Sequence, residues 1–500
     1  MAWRLSIVLA AACAVAGGPS WAGAAGSPPP APASPATVAS LAAPGLNPAD
    51  AAILEAMLAQ APSQGFDAGA FDAGAATAQR QSPDPAVRGR GEARLVGLAL
   101  AYARAQHGGR MEGGFPANWA IRPAAYDARA DLAAALAAHG LADWVRSLPP
   151  ADGRYAALVR AYARYGRIAA AGGWTALTAK PVLKPGATGP RVEALRQRLA
   201  IEDAAVPPAA FVATAPVTLP VKPPAKAAPP VPLYDAPLAE AVSRAQARHG
   251  LTPDGTAGAA TIAALNVPVE RRLDQIRANL ERWRWVPRGL PAYRVELNIA
   301  EAGLTLIDAD RPVMTMRAIV GRAAKPTPMF TDRIQAVVFN PPWNVPPDIA
   351  ASEIWPKIRK DPGYMAREGY VVRPGGGLQQ LPGPKCALGA IKFDLSNAFG
   401  VYLHDTPSRG LFARDSRALS HGCMRLEKPN LLAGRLLQDD PAWTQTRIDI
   451  ALLSGKTVRA PLSRPVPLYV FYWSVFEDDQ GQTAFRPDVY RWDVKLLGRL

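Results

Sequence analysis

Cysteine is nearly absent from this chain: three in 500 residues, at positions 13, 386 and 423. So few exclude a disulfide framework. Histidine is as scarce, five in all. No set of His or Cys lies at ligand spacing within one element, which argues against a zinc site. Lysine is thin too, 12 against 44 arginines. The net charge of +15 suits an anionic polymer. However, no basic run is interleaved with aromatics, and nucleic acid is not the expected partner. Beyond the N-terminus no apolar run reaches the length of a membrane span. No glycine-rich phosphate loop is present, and no cofactor is expected.

The N-terminus reads Met1-Ala2-Trp3-Arg4, then an apolar run over 5–17 and a small-residue site at Ala22-Gly23-Ala24. That pattern predicts a secretory signal peptide over 1–24, since the run is too short to span a bilayer. Ala10-Ala11-Ala12-Cys13 resembles a lipoprotein box, but only residues 5–9 precede it as an apolar stretch, and lipidation at Cys13 is not the expected outcome. The mature chain is expected to be periplasmic, with Cys386 and Cys423 both reduced and Cys386 a packing residue.

Five hundred residues imply several domains. Residues 25–46 are Ala-, Pro- and Ser-rich and read as a disordered tether. A helical domain is expected over 47–175, with helices near 51–60, 93–106, 127–138 and 155–169, separated by Gly and Pro clusters. Residues 182–266 carry Gly189-Pro190-Arg191-Val192, then Gln246, His249-Gly250-Leu251, Asp254-Gly255 and Thr261. That set resembles a three-helix peptidoglycan-binding module, interrupted by a Pro/Ala-rich insertion at 204–232. A charged connecting helix is expected over 269–290. From Tyr293 the period changes to two, with Val295, Leu297 and Ile299 alternating against Arg294, Glu296 and Asn298. A β-rich domain is therefore expected over 291–466, followed by an extension at 467–500. The alternation stops across 347–384, where a lid is expected, with Trp343 and Asn344 just before it.

The chemistry concentrates near the C-terminal end. Alternation sets Tyr402 and His404 on the face opposite Val401 and Leu403. A spacer of fifteen residues separates His404 from Ser420-His421-Gly422-Cys423-Met424-Arg425. The sequence Glu427-Lys428-Pro429-Asn430 reads as a helix opening, which would put Cys423 just before a helix N-terminus, where a thiolate is favoured.

A His, this spacer and Ser-His-Gly-Cys resemble the signature of the L,D-transpeptidases of the YkuD type. The resemblance implies a multidomain α+β protein: a β-rich catalytic domain with a lid, the small module and an N-terminal helical scaffold. It implies Cys423 as nucleophile and His404 as base, steadied by the main-chain carbonyl of Asp405. Backbone N–H groups of Gly422 and Cys423 would form an oxyanion hole with help from Tyr402. His421 and Ser420 would position the turn, and the Asp405 side chain would point away from His404. Arg425, Trp343 and Asn344 are candidates to touch substrate. The implied reaction joins peptidoglycan stem peptides, a tetrapeptide donor and an acceptor amine, into a 3→3 cross-link. Hydrolysis, lipoprotein anchoring and, from another class, a non-catalytic wall-binding scaffold are the alternatives. Other cell-wall synthesis proteins are candidate partners.

Overall fold

The computed structural model describes residues 46–206, 211–212 and 231–500. The expected signal peptide, nearly all of the expected tether and most of the 204–232 insertion lie outside the described residues.

The N-terminal helices begin where short polar side chains take up the first free N–H groups. Asn47 caps α1 (Pro48–Ala59), Asp84 caps α3 (Pro85–Gly108), Asp127 caps α4 (Ala128–Ala137) and Asp152 caps α6 (Gly153–Ala170). Proline follows two of these caps at a position that needs no N–H donor. Short helices α2 (Gly74–Arg80) and α5 (Leu141–Ser147) lie between them.

The next helices are α7 (Pro190–Glu202), α8 (Ala236–Arg248) and α9 (Ala259–Leu265). They share a core of their own, including Leu195, Leu199, Leu238, Val242, Ile262 and Leu265. A two-stranded ribbon, β1 (Phe211–Val212) with β2 (Val231–Pro232), flanks the insertion. The connecting helix α10 (Val269–Trp283) buries Ile276, Leu280 and Trp283. The same core takes in Tyr155 and Tyr165 of α6 and the strands that follow, so residues 47–500 form one unit.

The first strands of the large sheet are β3 (Arg294–Asn298), β4 (Gly303–Asp308), β5 (Arg311–Gly321) and β6 (Phe330–Phe339). Val295, Leu297 and Ile299 turn inward as the period of two requires. The lid region opens on β7 (Trp343–Asn344). Helical residues follow as α11 (Pro347–Ile349), a π-helical turn at Ala350–Ile354, α12 (Trp355–Lys360) and α13 (Tyr364–Glu368). Strands β8 (Tyr370–Val372) and β9 (Leu378–Gln380) follow, and β9 pairs with both β7 and β8 in a small separate sheet. Alternation therefore resumes inside the lid, in strands of three residues that are too short to display it. The lid has its own core of Val345, Ala350, Ile354, Tyr370 and Leu378.

The large sheet resumes with β10 (Ile391–Asp394), β11 (Leu403–His404), β12 (Ala418–Ser420) and β13 (Met424–Leu426). Helices α14 (Pro429–Leu437) and α15 (Gln445–Leu453) precede β14 (Val458–Phe471). The strand order is β12-β5-β13-β11-β10-β6-β14-β3-β4, and β4 also pairs with β5, which closes the sheet on itself. Strand β14 lies between β3 and β6, so the sheet runs across the expected boundary at 466/467. A hairpin of β15 (Val475–Glu477) and β16 (Thr483–Phe485) and helix α16 (Trp492–Leu497) complete the chain.

Candidate active site

Strands β11 and β13 run parallel, Leu403 beside Met424 and His404 beside Arg425. That register sets Cys423 opposite Tyr402, and the Met424 N–H donates to the Tyr402 carbonyl at 3.0 Å. Leu403 and Met424 turn into the core. Tyr402 and His404 share the outer face, their rings 5.6 Å apart. The Tyr402 N–H and hydroxyl face the Cys423 sulfur, and the Trp343 indole faces the Tyr402 hydroxyl.

His404 is 4% exposed. Its Nδ1 lies 2.5 Å from the Asp405 carbonyl oxygen. A carbonyl only accepts, so the ring donates to it, and the Leu388 carbonyl is a second main-chain acceptor beside the imidazole. Burial first, and then the Arg425 guanidinium, push the imidazole down to about 3. The Asp405 carboxylate turns away, accepting from the Ala390 N–H at 2.9 Å and from Arg409 at 2.8 Å.

Cys423 does not sit at a helix start. Strand β13 intervenes, and α14 begins only at Pro429. Burial raises the thiol above its ordinary range, with Tyr402 and Arg425 opposing that shift. Burial thus works against the charged form of both groups, the thiolate and the imidazolium alike.

Three residues shape the turn that holds the sulfur. Gly422 has φ +116°, a conformation that a side chain would strain. The Ser420 hydroxyl donates to the Cys423 carbonyl at 2.6 Å and accepts from the Gly422 N–H at 3.1 Å. The Gly422 N–H is thus already used, which removes it from the expected oxyanion pair. The Cys423 N–H has no main-chain acceptor among the described residues. Thr327 Oγ1 donates to the Gly422 carbonyl at 2.7 Å and accepts from the Gly321 N–H at 2.9 Å. Tyr490, from the C-terminal region, donates to the Gly321 carbonyl and accepts from the Thr327 N–H.

The remaining expected residues divide. Arg425 is half-buried, its Nε has no partner, and no carboxylate pairs with it among the described residues. Trp343 lies at the base of the lid beside Tyr402. Asn344 is exposed, and its side-chain oxygen accepts from Gln379 at 2.7 Å, so its amide serves the lid sheet. His421 turns to the lid as well, Nε2 to Glu353 Oε1 at 2.6 Å. Cys386 is a free thiol, 1% exposed, against the Pro341 carbonyl.

Sequence reasoning missed Glu353, Thr327, Tyr490 and Lys392. Lys392 sits opposite His404 on β10 and places its ammonium 4.8 Å from the Tyr402 ring centre. Alternation against buried Ile391 and Phe393 was the signal that put it on the outer face.

Comparison with known proteins follows this geometry. Residues 292–450 match the YkuD family, described as the L,D-transpeptidase catalytic domain. The chain carries an L,D-transpeptidase catalytic domain. Residues 39–161 match a Scaffold domain, and 227–265 match a "Putative peptidoglycan binding domain". A Haemophilus influenzae protein described as a "Putative L,D-transpeptidase" is 34% identical over 204 residues, covering 37% of this chain and 41% of that protein. The match thus spans well under half of that relative's length. Among solved structures, an L,D-transpeptidase from Mycobacterium smegmatis is 16% identical, with a TM-score of 0.21 over 36% of this chain and 58% of that one. An L,D-transpeptidase from Xylanimonas cellulosilytica is also 16% identical, with a TM-score of 0.20 over 59% of this chain and 99% of that one. Among the described residues no helix is long and apolar enough to cross a membrane.

Proposed function

We propose that this chain is a peptidoglycan L,D-transpeptidase that works through a thioester on Cys423. The observation that carries the reading is the bond from His404 Nδ1 to the Asp405 carbonyl. It fixes the imidazole on β11, the strand that runs beside Cys423 and β13.

In this reading the Cys423 sulfur attacks the carbonyl of the third stem residue, and its proton passes to the His404 imidazole. The carbonyl electron pair moves to oxygen, which the Cys423 N–H and the Tyr402 hydroxyl stabilise. Collapse breaks the peptide bond, and the departing D-Ala amine takes the proton from His404. An acceptor amine then attacks the thioester and passes its proton through His404 to the leaving sulfur, which forms the 3→3 link. Arg425, without a carboxylate of its own, binds a stem carboxylate. Trp343 holds the Tyr402 hydroxyl toward the sulfur. The lid, fixed beside Cys423 through His421, keeps water from the thioester and favours transfer over hydrolysis. Export through the signal peptide delivers the enzyme to the periplasm and the cell wall.

The test is incubation with purified tetrapeptide muropeptides and mass analysis of the products. Cross-linked dimer with loss of D-Ala is expected from the natural protein and none from Cys423→Ala. Cross-linking by a folded Cys423→Ala protein overturns the assignment. A carbapenem should add one adduct, mapped to the Cys423 peptide and not to buried Cys386.

A further inference from the structure

Strand register sets the charges around the base. Lys392 on β10 stands directly opposite His404 on β11, and His404 stands beside Arg425 on β13. Residues in register on neighbouring strands share a face and lie one strand spacing apart, about 4.7–4.9 Å. The row across the sheet is therefore cation, imidazole, cation, on the face that also carries Tyr402. The charges of Lys392 and Arg425 both reach the His404 imidazole and the Cys423 sulfur.

The protein does not neutralise this row. Arg425 pairs with no carboxylate among the described residues, and of its guanidinium only Nε is sealed from solvent. The two Nη groups reach solvent without a hydrogen bond, so they are open to a ligand. Lys392 meets Asp394 at 3.1 Å, but Asp394 also serves Arg459 at 2.9 Å, which leaves one carboxylate between two cations. The Lys392 side chain is 28% exposed. Asp405, next to the base in sequence, spends its carboxylate on the Ala390 N–H and Arg409. A half-buried guanidinium without an acceptor suits an incoming carboxylate.

The proposed chemistry says which carboxylate comes there. His404 returns its proton to the departing amine, so that nitrogen lies against the imidazole. The carboxyl carbon of the departing residue is two bonds further on, about 2.5 Å from the nitrogen by standard geometry. It therefore falls between His404 and the cations one strand spacing to either side. The other carboxylates of a stem peptide lie on the acyl side of the attacked carbonyl, the side that stays with Cys423. A longer stem would present an uncharged peptide carbonyl to the cations in place of a carboxylate.

We infer that Lys392 and Arg425 together hold the free C-terminal carboxylate of the departing residue and so select donors that end one residue past the attacked carbonyl. The inference rests on the peptidoglycan reading, and its test separates the two. The full chain is given a tetrapeptide muropeptide, the same donor amidated at its C-terminus, or one amidated at the diaminopimelate carboxylate, and release of the terminal residue is timed by mass analysis. The natural protein should favour the free acid over the C-terminal amide by roughly tenfold or more in kcat/KM, the scale of a charge-assisted hydrogen bond. Lys392→Met and Arg425→Gln, which keep most of each aliphatic stem, should each lower that preference several-fold. Thiol and base act on both donors alike, so the ratio of the two rates cancels any change in their reactivity and any general loosening of the site. A melting temperature checks each variant, and where one fails to fold the other decides. Equal rates on acid and C-terminal amide in the natural protein overturn the inference and leave the thioester reading standing. A preference that survives in both variants overturns the assignment to Lys392 and Arg425. A loss on amidating the diaminopimelate carboxylate, with none at the C-terminus, overturns the choice of carboxylate. Release from none of the three donors takes down the catalytic reading, and this inference with it.

Discussion

His421 Nε2 and Glu353 Oε1 lie 2.6 Å apart, joining the nucleophile turn to the lid across 68 residues of sequence. Lys325 to Asp348 at 3.0 Å and Arg322 to Glu353 at 4.0 Å tie the same lid to the loop after β5. The segment proposed as a lid is therefore held by polar and charged contacts beside Cys423.

Releasing that latch should change the product before it changes the chemistry. Glu353→Gln is expected to lower the ratio of cross-linked dimer to tripeptide about two- to fivefold, in keeping with exposed pairs worth up to about 1 kcal/mol. Replacing 349–381 by a short turn should lower it further. A muropeptide digest reads the ratio, and an unchanged value in the trimmed enzyme removes the lid from acceptor choice.

The two histidines should separate cleanly. His404→Ala removes the proposed base and should slow acylation about 10²–10⁴-fold. His421→Ala should cost much less in acylation and act mainly on the dimer-to-tripeptide ratio. A larger acylation loss at His421 reverses the assignment.

Ser420→Ala should loosen the turn itself. The hydroxyl is 1% exposed and closes two hydrogen bonds around Cys423, so its loss should cost about 1–3 kcal/mol of stability and slow acylation. Ser420→Thr, which keeps the hydroxyl, should restore most of the acylation rate. Equal behaviour of the two variants argues against this role.

Acid should act on stability more than on the catalytic pair. His404 and His249 are each held down to about 3, chiefly by burial. Below about 6.5 the unfolded chain binds protons that the folded chain refuses. Stability from these groups is present above 6.5 and is lost as pH falls toward 3, each unit of depression being worth about 1.4 kcal/mol. Thermal melting across pH 7 to 4 should show the decline, and a flat profile contradicts it. Carbapenem acylation, by contrast, should rise toward alkaline pH as the buried thiol ionises. A lower limb near 6.5 would show that His404 titrates normally.

The sequence exposed what is local. The spacing from His404 to Cys423, the face shared by Tyr402 and His404, and the outward turn of Asp405 all follow from adjacent residues. What it hid is either short or distant. Strand β13 has three residues, too few to declare a period, so in the sequence the run from Cys423 reads as leading straight into a helix. Nothing in a string of letters shows that Ser420 folds back upon the Gly422 N–H. Glu353, Thr327 and Tyr490 reach the turn from 68 to 95 residues away in sequence, or through the loop that Tyr490 braces, and only the closed sheet brings them together.

Strand β14 fits between β3 and β6, and Tyr490 supports the loop beneath Gly422. The turn at Cys423 therefore leans on both ends of the domain: Thr327 reaches it from before, and Tyr490 braces that loop from the far end of the chain, so the sheet around Cys423 is closed only with β14 and Tyr490 in place.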